Sequence, residues 1–241
     1  MPSFSLIFSL IACSTGTWTV DTWGEDYIET GIPAAEFSDG CSVTFSSFEV
    51  EITEGQLLDG NGDAVADLEP ARVDLVPVGP HDLGSVEVPA GTYTTARFVI
   101  APDASDSVHV AGELSCGEGE EAETVAFDWS FSTTTTYLCE PDALTVPSAG
   151  EVTTELTVHG DHLFYDALEA DDAVLQGWPI VNADADADGS VTLDELEAVS
   201  LAPLGYSVGQ YSEVEDLAAF VRHLTQTVGH VDGEGHCGVE F

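Results

Sequence analysis

The chain has 241 residues, 44% of them hydrophobic, so it carries enough apolar material for a packed core and is not disordered throughout. Its 45 acidic residues stand against three basic ones, Arg72, Arg97 and Arg222, with no lysine, for a formal net charge of −42. Such a surface repels phosphate backbones and anionic headgroups, which excludes nucleic acid as a partner, and it attracts cations and suits high ionic strength.

The stretch from Phe4 to Ala12 (FSLIFSLIA) is apolar and ends at Cys13. It is too short to span a bilayer and fits the core of a signal peptide. Leu10-Ile11-Ala12-Cys13 resembles a bacterial lipobox. The resemblance implies that residues 1–12 are a lipoprotein signal peptide and that Cys13 is lipidated. The protein would then be exported and anchored in the cell envelope, periplasmic or on the surface. An ordinary cleaved signal peptide is the alternative. Residues 13–40, rich in Ser, Thr, Gly and acid, read as an acidic tether in which Trp18 and Trp23 are unusual.

From Ser42 to His159 the pattern has period two. Phe48, Val50 and Ile52 alternate with Glu49 and Glu51; Ala96, Phe98 and Ile100 share one face. Val125, Phe127, Trp129 and Phe131 mark the clearest strand, and Val152, Leu156 and Val158 the last. Turn clusters such as DGNGD (59–63) and VPAG (88–91) separate these runs. The spacing predicts an antiparallel β-sandwich over 41–162. Asp59-Gly-Asn61-Gly-Asp63 has a calcium-loop start without the later glycine and glutamate, and reads as a β-turn. The segment ARVDLVPVGPHDLGSVEVPAGTYTTARFVI (71–100) resembles secreted bacterial β-sandwich domains with a V-P-A-G-x-Y stretch, a stretch similar to that of the periplasmic copper-binding partners of methanobactin. That resemblance implies fold more than function.

His159-Gly160-Asp161-His162 follows the last predicted strand. Two imidazoles and a carboxylate in four residues are a candidate copper or zinc site, or a hydrogen-bonded turn. His230, Asp232, Glu234 and His236 form a second group near the C-terminus.

Beyond His162 the texture is helical, and 163–241 reads as a small α-helical module with an EF-hand-like loop. Asp184-Ala-Asp186-Ala-Asp188-Gly189-Ser190-Val191-Thr192-Leu193-Asp194-Glu195 resembles the EF-hand loop position for position. The resemblance implies calcium ligation by Asp184, Asp186 and Asp188, the Ser190 carbonyl, Thr192 and a bidentate Glu195, with Gly189 at the sharp turn. Gly177 and Pro179 shorten any entering helix, as in dockerin-type loops. Thr192 and Glu195 have capping-box spacing for a short helix ending before Pro203. Ser212 to Glu215 has the same spacing before Val214, Leu217, Val221 and Leu224.

With Cys13 assigned to lipid, Cys41, Cys116, Cys139 and Cys237 remain, and they permit two disulfides in three connectivities. The favoured pairs are Cys116–Cys139, between nearby strands, and Cys41–Cys237, tying the ends together. The chain has no G-x-S-x-G, H-E-x-x-H or phosphate-cradling glycine loop. The expected function is therefore that of a calcium-binding, envelope-anchored lipoprotein with a binding or structural role, not an enzyme, whose partner is a glycan, another envelope protein or nothing beyond calcium. The alternative is a copper or zinc carrier using His159, Asp161 and His162.

Overall fold

The period-two runs become strands, and their apolar faces meet in one core. The computed structural model describes residues 14–241, apart from 118, 120, 121, 141–143, 171, 234 and 236. Cys13, Glu234 and His236 lie outside the described residues. Strand β1 (Thr15–Trp23) is followed by helix α1 (Glu25–Thr30) and the long β2 (Ser42–Leu58). Next come β3 (Ala64–Asp67), β4 (Ala71–Asp74), β5 (His81–Pro89), β6 (Gly91–Tyr93) and β7 (Thr95–Ile100). The middle of the chain supplies β8 (Val108–Cys116), β9 (Glu123–Phe131), β10 (Thr135–Cys139), β11 (Leu144–Val146) and β12 (Glu151–Val158). After a 3-10 turn at Asp161–Phe164 come α2 (Trp178–Val181), β13 (Ser190–Val191), α3 (Leu193–Glu197) and α4 (Leu217–Leu224). The chain closes with β14 (Gly229–Val231) and β15 (Cys237–Glu240).

Among the described residues the larger sheet runs β13-β9-β8-β2-β7-β10-β15, with β3 and β4 also paired to β2, and the smaller runs β14-β12-β1-β5. The molecule is mainly β and open sandwich-like, as the alternation predicts. The sheets are mixed rather than antiparallel: β1 pairs parallel with β12, and β13 parallel with β9.

The tether reading of 13–40 does not survive. β1 is an interior strand between β5 and β12. Its Trp18 and Val20 are fully buried and Trp18 Nε1 donates to Thr154 Oγ1 at 3.0 Å. Its linker-like composition comes from threonine, which is β-branched and suits a strand. Nor is 163–241 a separate helical module. Its strands β13, β14 and β15 all sit at sheet edges, where they cover unpaired backbone groups. Phe164, Leu196 and Phe220 share the core of the sandwich.

Helix α4 begins at Leu217, with the Asp216 side chain accepting from Ala219 N at 2.7 Å. The Ser212 box is unused because the chain is still extended at Asp216, where Leu201 N donates to Glu215 O and Leu217 N to Val199 O. The Thr192–Glu195 capping box forms as expected. In the turn at Asp59, the carboxylate accepts from Asn61 N and Asp63 N, and the first of these bonds leads in holding its pKa low.

Both favoured disulfides are replaced. Cys41 bonds Cys116, and Cys139 bonds Cys237. Strand register decides this. Ser42 of β2 faces Ser115 of β8, and Cys139 of β10 faces Cys237 of β15. Strands β8 and β10, by contrast, lie on opposite sides of β2.

Candidate metal centre

The histidine centre forms where β12 ends. His159 N donates to Val228 O at 2.9 Å, and β14 pairs antiparallel with β12, placing His230 opposite Thr157. The chain then turns at Gly160, where a Cβ would lie 2.7 Å from Ile28 Cγ1, so only glycine lets α1 approach this closely. Buried Leu163 and Phe164 anchor the 3-10 turn, with Phe164 packed edge-on against Phe37 at 5.6 Å. That anchorage leaves His162 facing back toward His159. His162 Nδ1 pairs with Thr227 Oγ1 at 3.0 Å, which leaves Nε2 as its ligand atom.

His159, His162 and His230 each offer a nitrogen, and these three atoms lie within 4.8 Å of one another. His159 and His230 are nearly buried, and their rings are 4.1 Å apart. Sequence reasoning paired His159 with His162 but placed His230 in a different group. A Gly-His-Val run after a helix was the available sign of a returning strand.

Asp161 does not join the three nitrogens. Its Oδ2 accepts from Tyr165 OH at 2.8 Å, and its Oδ1 is buried, without a hydrogen bond, 4.0 Å from His159 Nδ1. On the other side, Glu25 Oε1 stands 3.2 Å from His159 Nε2. The centre opens into a cleft of about 610 Å³ that Tyr27, Tyr165 and Cys237 also line. Burial first, then Glu36, raise the Tyr27 phenol pKa, with Asp161 and Glu25 adding to the shift. The cleft is therefore electronegative.

The aspartate loop is built differently. Asp39 Oδ2 accepts from Gly177 N and Trp178 N at 2.8 and 2.9 Å, starting α2. Gly189 takes φ +84°, in the left-handed region that glycine permits. Carboxylate oxygens of Asp184, Asp186 and Asp188 lie within 4.8 Å of one another. Glu195 turns back into the loop, accepting from Ala185 N at 3.1 Å and from Thr192 N at 2.9 Å. The backbone bond from Thr192 leads in holding the Glu195 pKa below its ordinary value. Ser190 and Val191 pair with Ala126 and Phe127 of β9, and Trp129 Nε1 donates to Val191 O at 2.8 Å. The flanking helices are single turns, so the loop lies on the sandwich rather than between two long helices.

No protein-family model and no curated protein sequence matches the chain. Among solved structures, MbnP from Methylosinus trichosporium is similar at 10% identity and a TM-score of 0.38, over 93% of this chain and 98% of that one.

Proposed function

We propose that this chain is an exported transition-metal-binding protein that holds copper or zinc through His159, His162 and His230. The carrying observation is the trio of nitrogens, two of them on buried histidines, from two segments far apart in sequence, converging within 4.8 Å. Imidazole suits both metals, and a cleft that Glu25, Asp161 and Glu169 also line attracts cations at long range. Two disulfides fit an oxidising compartment, and among the described residues no helix is long and apolar enough to cross a membrane. In this reading Cys13 carries the lipid anchor and the role is binding rather than catalysis. Metal analysis of natively purified protein, followed by zinc and copper titration, tests it. One equivalent is expected in wild type, with a loss of affinity of at least about 100-fold in His230→Ala. Unchanged affinity in that variant removes the reading.

A second reading concerns the loop at 184–195, favoured by the convergence of the three aspartates with Glu195 turned toward them. Here calcium would be structural, bound through Asp184, Asp186, Asp188, the Ser190 carbonyl, Thr192 and Glu195. Calcium titration followed by melting tests it, independently of the histidines.

A further inference from the structure

We infer that Thr227 is a positioning residue of the histidine centre: its hydroxyl holds the proton of His162 on Nδ1 and so presents Nε2 to the ion. The inference rests on the metal reading above and adds to it a residue that is not itself a ligand.

A threonine hydroxyl has one proton to donate and lone pairs with which to accept. Thr227 Oγ1 lies 2.9 Å from Leu224 O and 3.0 Å from His162 Nδ1. A carbonyl oxygen can only accept, so the hydroxyl proton goes to Leu224 O. Oγ1 then meets His162 with a lone pair, and Nδ1 supplies the proton of that bond. The opposite assignment, with the hydroxyl donating to Nδ1, sets two oxygen lone pairs against each other at 2.9 Å and satisfies one contact instead of two. A neutral imidazole protonated on Nδ1 carries its lone pair on Nε2, which is the form that metal ligation requires.

Thr227 can set the tautomer because its own place is fixed. It follows α4, whose end tightens as Gln226 N donates to His223 O and Thr227 N to Leu224 O, both at 3.0 Å. Leu224 before it and Val228 after it are buried, and its branched β-carbon limits the directions the hydroxyl can take. The residues that follow serve the other two histidines. Val228 O accepts from His159 N at 2.9 Å, and His230 brings its own imidazole to the trio. One short segment, 227–230, therefore touches the placement of all three rings.

The test uses the full chain as wild type, Thr227→Val, Thr227→Ser and His230→Ala. Valine keeps the shape and drops the hydroxyl, whereas serine keeps the hydroxyl. Zinc is titrated against a competing chelator, and the ring nitrogens of the metal-free protein are read by NMR at about pH 8, above the ordinary imidazole pKa. Wild type and Thr227→Ser are expected to show His162 protonated on Nδ1 and to bind zinc alike. Thr227→Val should lose that tautomer preference and about 10–100-fold in zinc affinity. Wild-type zinc affinity in Thr227→Val alongside loss in His230→Ala overturns the Thr227 assignment and leaves the histidine site standing, as does a wild-type His162 protonated on Nε2. Failure of wild type to bind zinc or copper removes the metal reading and this inference with it.

Discussion

In the aspartate loop the carboxylates are already occupied by their own backbone. Asp184 accepts from Asp188 N and Gly189 N, and Asp188 accepts from Ser190 N. In the histidine centre the polar atoms are buried instead, and His159 Nε2 and Asp161 Oδ1 make no hydrogen bond. The loop is exposed and contiguous, whereas the centre is assembled from the end of β12 and the start of β14. A buried unsatisfied polar group costs about 1–3 kcal/mol, a cost that an ion offsets directly. The loop carries no such cost, so an ion there adds to a turn that is already formed. Burial and unsatisfied valence therefore separate the two sites better than the number of acidic residues, which are abundant throughout this surface.

The disulfides offer the largest way to break this contrast. Cys139–Cys237 closes 98 residues of chain and borders the histidine cleft. Replacing both cysteines by serine is expected to cost about 4–5 kcal/mol in denaturant unfolding and to weaken zinc binding without changing calcium binding. Replacing Cys41 and Cys116 should act in the opposite sense. That bridge lies beneath Gly177 at the entry to the aspartate loop, where a Cβ would lie 2.7 Å from Cys41 Sγ. Equal effects of the two bridges on both ions would show that the sites are one cooperative unit.

Calcium provides the next test. At a hundredfold excess over its dissociation constant it should stabilise wild type by about 2.7 kcal/mol, read as a rise in melting temperature. Magnesium should do less, Glu195→Gln should abolish most of the rise, and His230→Ala should leave it intact.

The smallest expected effect comes from a row of carboxylates in the smaller sheet, whose strand β12 leads into the histidine centre. Asp82, Asp21 and Glu155 stand side by side across β5, β1 and β12, and Asp232 Oδ1 accepts from Glu155 N at 3.0 Å. Burial first, then Asp232 and Asp21, raise the Glu155 pKa; burial first, then Asp82 and Glu151, raise that of Asp21. A carboxyl whose folded pKa is raised binds its proton more tightly in the native state. Its contribution to stability is thus fully present below the unfolded value and is lost as pH rises through the folded one. Glu155→Gln should therefore stabilise the protein at pH 7 by roughly 0.2–1 kcal/mol, with the gain fading below about pH 4. Zinc affinity should not move, since the row is not among the ligands. A shift in zinc affinity would tie this charge row to the centre.

The sequence by itself determined what short-range physics decides. Alternation marked Phe48, Phe98 and Trp129 as core, because a strand turns every second side chain inward. The Thr192 cap and the tight turn at Gly189 were legible because all their partners lie within a few residues. Tertiary structure alone decided the rest. A tether-like composition concealed β1, whose place depends on β5 and β12 flanking it. The four cysteines were identifiable, but their pairing follows strand order, which periodicity does not encode. The same holds for the site: His159 and His162 are neighbours in the chain, while His230 reaches them only through sheet pairing, which no local pattern specifies.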